Sequence, residues 1–100
     1  MDAIETVKQE LAPLLDRLLL LLQEENNDTG CMFFENVAAN LANAQAEEDL
    51  IILFIEHLSA SAFIVHQSPF QPAALAVLDE LLQKAESLAL TFSVSAENVN

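Results

Sequence analysis

Hydrophobic residues recur every three or four positions along most of this chain, which is the period of an amphipathic α-helix. The first stripe predicts a long helix and consists of Ile4, Val7, Leu11, Leu14, Leu18 and Leu21. Asp2 and Glu5 have the spacing of a cap at its start. Pro13 removes one backbone hydrogen bond inside the stripe, but the stripe keeps its phase beyond it. We therefore predict a first helix kinked near Pro13, with a complete break as the alternative.

A polar segment, residues 24–30, holds the only glycine of the chain and predicts the first loop. Either Asp28 or Thr29 is expected to cap the second helix. The apolar stripe of that helix consists of Phe33 or Phe34, Val37, Leu41 and Ala44. Three consecutive acidic residues at 47–49 suit the positive end of a new helix, so we predict a break around 43–46. Apolar residues continue in phase past this point, which leaves one uninterrupted helix as the alternative.

The third helix, predicted from about Glu47 to His66, is apolar on nearly all sides. Its apolar stretch, residues 50–65, is shorter than the roughly 20 residues of a membrane span and is interrupted by Glu56 and His57. We therefore predict a buried central helix, or a helix whose outer side another subunit covers.

One face of this helix mixes apolar and polar residues. Ile52 and Phe63 share it with Glu56, Asp49 and Ser59 at about 100° per residue. Apolar anchors within a polar surround are typical of a subunit contact, so Ile52, Phe63 and Glu56 are candidate interface residues. The alternative is that the fourth helix covers them.

The fourth helix is expected to begin after Ser68, with Pro69 at its first position and Gln71 completing a capping box. Its apolar stripe consists of Leu75, Leu78, Leu81 or Leu82, Ala85, Leu88 or Ala89, and Phe92. Periodicity is lost after about Thr91, which predicts a frayed tail over residues 93–100.

Four helices with short connections predict an all-α fold, a single-domain antiparallel bundle over residues 1–92. Five consecutive leucines, residues 18–22, and an almost wholly apolar third helix exceed what one chain of 100 residues easily covers. This surplus predicts a homodimer. Ile52 and Phe63, or else Leu19 and Leu20, are expected at the contact.

The chain is strongly acidic, with 16 Asp and Glu against 3 Lys and Arg and a net charge of −13, yet it is 53% hydrophobic. That hydrophobic content excludes a disordered acidic tail. Three cations are too few to bind a nucleic-acid backbone or an anionic membrane, so a charged partner is expected to be basic. Residues 1–10 do not resemble a signal peptide, and the single Cys31 has no partner for an internal disulfide, which predicts a cytoplasmic protein.

No residue pattern predicts a catalytic, cofactor or metal site. His57 and His66 lie about 180° apart on one helix, and phenylalanines stand three residues before each of them, where a carboxylate-bridged metal site needs Glu. Cys31 follows Gly30 near a helix start, but its acidic neighbours oppose a thiolate, which indicates a structural cysteine. Adjacent carboxylates at 47–49 splay apart and do not converge on one ion.

The function predicted from these features is protein binding without catalysis, as an adaptor or regulator. The alternative is a secretion-chaperone-like, inhibitor-like or antitoxin-like protein with a basic client. A third class, a histidine phosphotransfer bundle, shares the small acidic helical design. It normally places Lys and Gly after the histidine, whereas Leu58 and Ser59 follow His57.

Overall fold

The computed structural model describes the backbone of residues 3–98 and the side chains of residues 3–90. Within that range it contains four helices and no strand, which confirms the predicted all-α bundle. The helices are Ala3–Glu24, Asp28–Asn43, Glu47–Gln67 and Pro72–Asn98, called here the first to the fourth helix. The third is built from four short helical segments described below. The predicted cap at Asp2 lies outside the described residues.

The first helix passes through Pro13 without interruption, so the alternative of a complete break is excluded. Its buried residues are Val7, Leu11, Leu15, Leu18 and Leu22. This stripe advances mainly in steps of four, because a straight helix has 3.6 residues per turn. Leu14 and Leu21, which the sequence pattern put in the stripe, are therefore only partly buried beside it.

Polar contacts of two lysines join neighbouring helices, and one of them shows that the first two helices are antiparallel. At one end, Lys8 Nζ donates to the Ala42 carbonyl at 3.1 Å, which joins the start of the first helix to the last turn of the second. Lys84 Nζ lies 2.8 Å from Glu10 Oε2 on the first helix. The hydrogen bond and attraction to Glu10 raise the pKa of Lys84. Two of the three cations are thus in contact with a neighbouring helix.

The loop between the first two helices forms a hydrogen-bonded turn centred on Asn26. Asn26 has φ 57°, a left-handed conformation that Asn tolerates better than most residues. The Asn26 N–H donates to the Gln23 carbonyl, and the Asn27 N–H donates to the Leu22 carbonyl at 2.9 Å. These two bonds satisfy carbonyls at the end of the first helix in the Schellman arrangement.

Asn27, rather than Asp28 or Thr29, caps the second helix. Its Oδ1 accepts from the Gly30 N–H at 3.0 Å and from the Ser68 hydroxyl at 2.7 Å. Its Nδ2 donates to the Ser68 carbonyl at 3.1 Å. The side chain is buried, so it joins two loops through bonds that water does not replace. We call this set of bonds between Asn27, Gly30 and Ser68 the Asn27 clasp.

Beside the clasp, Phe70 is buried against the start of the second helix. A Cβ atom at Gly30 would lie 3.0 Å from Phe70 Cε1, so glycine is the residue that allows this contact. The Phe70 ring meets Phe34 edge to face, with centroids 6.1 Å apart. The close approach of Phe70 therefore accounts for the single glycine of the chain.

The predicted break between the second and third helices is confirmed, with non-helical backbone at residues 44–46. Asp49 stabilises the new helix start, since its Oδ2 accepts from the N–H groups of Gln45 at 3.0 Å and Ala46 at 3.1 Å. These bonds favour the ionised form and lower the pKa of Asp49. Of the three acidic residues, the third is the one whose side chain makes these bonds.

The fourth helix begins and ends later than predicted. Pro72, not Pro69, is its first residue, because the Ser68 hydroxyl is already bonded to Asn27 and is not free to cap. The Gln71 N–H instead donates to Glu25 Oε2 at 3.2 Å. Helical backbone continues to Asn98 rather than ending near Thr91, so the predicted tail is helical over 93–98. No glycine or proline interrupts these positions.

The buried side of the fourth helix differs slightly from the predicted stripe. Ala74, Val77, Leu78, Leu81 and Ala85 are buried. Leu75, which was expected in the core, is 40% exposed because Ala74 occupies the inward position. The predicted burial of Phe92 lies outside the described side chains.

Replacing Asn27 by Ala should lower the free energy of unfolding by about 1–3 kcal/mol, because the buried Gly30 N–H and the Ser68 hydroxyl lose their acceptor. Urea unfolding at fixed pH measures this change. Asn36→Ala, at an exposed position of the second helix, is the control and should stay within about 0.5 kcal/mol. Equal effects of the two substitutions would contradict the role given to the clasp.

Added NaCl should raise the thermal midpoint. Sixteen carboxylates repel one another on a small surface, and salt shortens the Debye length to about 8 Å at 0.15 M. The Lys84–Glu10 pair is exposed and should contribute little against this repulsion. Calorimetric scans in increasing NaCl test this, and a midpoint that falls as salt is added would show that favourable pairs dominate.

Candidate functional site

The third helix departs from regular α geometry at its centre. It comprises an α segment, Glu47–Ile52, a π-helical turn, Leu53–His57, a 3-10 turn, Leu58–Ala60, and a second α segment, Ser61–Gln67. In the π turn the Leu58 N–H donates to the Leu53 carbonyl, five residues earlier. Both leucines are buried. The wider turn is what allows two residues five positions apart to face the same core.

Two serines accompany this irregular stretch. The Ser59 hydroxyl donates to the Ile55 carbonyl, and the buried Ser61 hydroxyl donates to the Leu58 carbonyl at 2.7 Å. Carbonyls near a π or 3-10 turn lose part of their regular bonding, and neighbouring hydroxyls can supply it. The serines therefore compensate locally for the change in helix type.

The third helix is far more exposed than its composition predicts. Only 22% of its most apolar 18-residue stretch is buried, so the prediction of a buried central helix is wrong. Its inward positions are Leu50, Leu53, Leu58 and Ser61. The π turn shifts the phase of the helix between Leu53 and Leu58. Ile55 and Phe63 are 64% and 60% exposed.

The candidate face predicted from the sequence is accessible. Ile52, Glu56 and Phe63 are all exposed, so the alternative in which the fourth helix covers them is wrong. Ile51 and Ile55 are further exposed apolar residues of the same helix. We refer to Ile51, Ile52, Ile55 and Phe63 as the outer face.

The two residues of the second candidate contact, Leu19 and Leu20, differ in exposure. Leu20 is exposed, but Leu19 is partly buried and packs against the hydrophobic core. A single exposed leucine is common on soluble proteins and needs no explanation. The structure therefore gives the outer face a larger apolar area than the Leu19 and Leu20 alternative.

An open groove runs between the third and fourth helices next to the outer face. Phe54, Ile55 and Leu58 form one wall, and Leu82, Ala85 and Ala89 form the other. Its volume is about 560 Å³. Ser59 and Glu86 are its polar residues. Ile55 belongs both to the groove and to the outer face, so the two form one continuous apolar surface.

By length and composition the third helix could cross a membrane, and it is the one helix of the described part of the chain that meets this criterion. Core helices of soluble proteins meet it as well, so the property alone is a weak indication. What distinguishes this helix is that most of it is uncovered in the single chain. Its apolar surface requires some cover, whether from protein or from lipid.

The two histidines do not combine into a reactive site. His57 is partly buried, and its Nε2 lies 3.3 Å from Asn40 Nδ2 on the second helix. A cavity of about 190 Å³ beside it is lined mainly by polar residues, including Asn43 and Asp49. His66 is exposed. Among the described residues, no three His, Cys, Asp or Glu side chains are grouped as metal ligands.

Cys31 lies in the first turn of the second helix and is partly buried. Burial raises the pKa of its thiol, and the negative charges of Glu35, Asp28 and Glu25 raise it further. These effects oppose the helix dipole, which favours thiolate. At neutral pH the cysteine is held in its unreactive thiol form.

Cys31 should therefore react with iodoacetamide more slowly at pH 7 than an unperturbed thiol, and the midpoint of its rate against pH should lie above the ordinary value. The urea-unfolded chain is the matched control, because unfolding removes both the burial and the fixed carboxylates. A folded protein that reacts at least as fast as the unfolded chain would contradict the environment described for Cys31.

Comparison of the chain with models of protein families, with curated proteins and with solved structures gave no match.

Proposed function

We propose that this protein acts by binding another protein through the apolar surface of its third helix, as an adaptor or regulator and not as an enzyme. The observation that carries the proposal is the exposure of Ile51, Ile52, Ile55 and Phe63 on a helix with only a minority of buried residues. Contiguous exposed apolar patches are typical of protein contact sites. Glu56 and Ser59 give the patch the polar surround of such sites.

Charge favours a protein over other macromolecular ligands. A net charge of −13 repels nucleic-acid phosphates and anionic lipid headgroups. Two of the three cations are also occupied, since Lys8 contacts the Ala42 carbonyl and Lys84 contacts Glu10. An interface based on apolar contact needs no cation from this chain.

Two alternatives use the same surface. An inhibitor-like, antitoxin-like or chaperone-like role with a basic client is supported by the acidic charge. Self-association is supported by the apolar character of the outer face, which a two-fold contact would bury in both copies. A dimer also brings together two chains of charge −13 and sets the Glu56 side chains near each other, which disfavours it at low salt.

The phosphotransfer alternative has less support. The His57 ring contacts Asn40. Lys84 forms an ion pair with Glu10 on the first helix. A phosphorylated histidine needs exposure and a nearby cation to balance its charge. Of the two histidines, only His66 is fully exposed, and no Lys or Arg occurs in the third helix.

Site-specific photocrosslinking in cells that make the protein tests the proposal. A photoreactive residue placed at Ile52 or Phe63 should give one discrete adduct with another protein, because both side chains are exposed on the outer face. The same residue placed at Glu80 should not, since Glu80 lies on an exposed polar side of the fourth helix. Placement at Leu20 tests the alternative surface.

The adduct mass distinguishes the alternatives. An adduct of two copies, with a mass near twice 11.0 kDa, would support self-association and contradict the first proposal. Light scattering of the purified protein gives an independent measure, and Phe63→Glu should lower the mass of a dimer formed through this face. Equal crosslinking from Glu80 and Phe63 would contradict a role for the outer face altogether.

A further inference from the structure

The groove between the third and fourth helices has a shape and a charge that together identify one kind of occupant. We infer that it binds an amphipathic α-helix of a partner protein whose apolar side is flanked by Lys or Arg. The inference rests on the proposed function and adds the chemistry of the partner. It concerns the groove, whereas the crosslinking experiment concerns the outer face beside it.

The shape of the groove fits a helix. Its walls are two helix surfaces, and the fourth-helix wall presents Leu82, Ala85 and Ala89 at spacings of three and four. The two alanines are small and leave depth that a partner's Leu or Phe can fill. These wall residues span about two helical turns, which matches partner anchors at positions i, i+3 or i+4, and i+7.

The π turn contributes to this shape. It rotates Leu58 inward, so that Leu58 and Phe54 line the base of the third-helix wall while Ile55 stands exposed at its rim. A regular helix with Leu53 inward would turn Leu58 about 140° away from Leu53. The third-helix wall of the groove therefore depends on this irregularity.

The charges around the groove are negative. Glu86 lines it, and Asp79 lies seven residues earlier on the same side of the fourth helix, about 10 Å away along the axis. Lys84 turns instead toward Glu10 on the first helix. Lys or Arg side chains of a partner helix can extend across an apolar rim and place their charged ends near such carboxylates.

Other occupants fit these charges less well. A second copy of the chain brings a further −13 and its own Glu86 to the contact. Anionic lipid and nucleic acid meet the same repulsion. A small apolar ligand would remain largely uncovered, because the groove is open along its length, and such ligands are usually enclosed. A basic amphipathic helix satisfies both the apolar walls and the acidic rim.

The probe is a synthetic fluorescent peptide of about 18 residues, with Leu along one helical face and Lys and Arg on its flanks. Two matched peptides accompany it, one with the same composition in scrambled order and one with Glu in place of each basic residue. Fluorescence anisotropy with the full chain should show binding of the basic amphipathic peptide. The scrambled peptide should bind at least about tenfold more weakly, and the acidic peptide weaker still.

Two pairs of variants locate the binding site. Ala89→Phe fills the groove and should weaken binding at least about tenfold, whereas Ala76→Phe, at an exposed position outside the groove on the same helix, should not. Glu86→Gln should weaken binding and reduce its dependence on NaCl, whereas the matched Glu80→Gln should have less effect. Circular dichroism of each variant verifies that it is folded.

Equal binding of the basic and scrambled peptides, or binding unaffected by Ala89→Phe in a folded variant, would overturn the inference. So would tight binding of the acidic peptide. If photocrosslinking at Phe63 captures a protein but the basic peptide does not bind, the proposed function stands and the partner chemistry is wrong. If the peptide binds in the groove and Phe63 captures nothing, the inference stands and the outer face is not the contact.

Discussion

The burial of both Leu53 and Leu58 is the constraint that determines the shape of the third helix. Residues five apart do not face the same side of a regular α-helix, since five residues turn it through about 500°. The π turn resolves this conflict and keeps both leucines in the core. One packing requirement thus creates the irregular helix and shapes the third-helix wall of the groove.

Charge then limits what can cover this surface. The chain has few cations, and two of them, Lys8 and Lys84, already contact neighbouring helices of the same chain. The uncovered apolar surface therefore lies in a negative field, with Glu56 on the outer face and Glu86 in the groove. Hydrophobic contact supplies affinity at such a surface, while the field selects among partners and speeds encounter with basic ones. Hydrophobic contact and the negative field thus both favour a basic partner with an apolar surface.

Most of the architecture could be predicted from the sequence because its signals are local. The helix break near 43–46 follows from three acidic residues at a helix start, and Asp49 makes the bonds expected of that position. The cap at Asn27 could not be chosen from sequence, because Asn27, Asp28 and Thr29 are all good capping residues. Ser68, in the loop between the third and fourth helices and 41 residues away, decides between them. The start predicted for the fourth helix was wrong for the same reason, because Ser68 bonds to Asn27 and does not cap that helix.

The exposed apolar surface of the third helix could be predicted only in part. Ile52, Glu56 and Phe63 were identified from their shared face, and they are exposed. Ile55 and the groove were missed because a helix that is apolar on nearly all sides gives no basis for choosing which residues face outward. Ser59 and Ser61, next to a five-residue interval between buried leucines, were the available signal. This signal can be interpreted only when it is known which leucines face the core, and tertiary packing determines which ones do.

The Asn27 clasp has a consequence for how the chain folds. The first two helices are neighbours in sequence and can pair through local contacts, but Asn27 and Ser68 are separated by 41 residues. Closing so long a loop carries an entropic cost that must be met before its bonds form. The bonds between Asn27 and Ser68 therefore form only when the intervening chain, which includes the third helix, has brought the two loops together. Ser68 directly follows the last residue of the third helix, so the end of that helix and the first loop are joined, although the outer face and the loop share no residue.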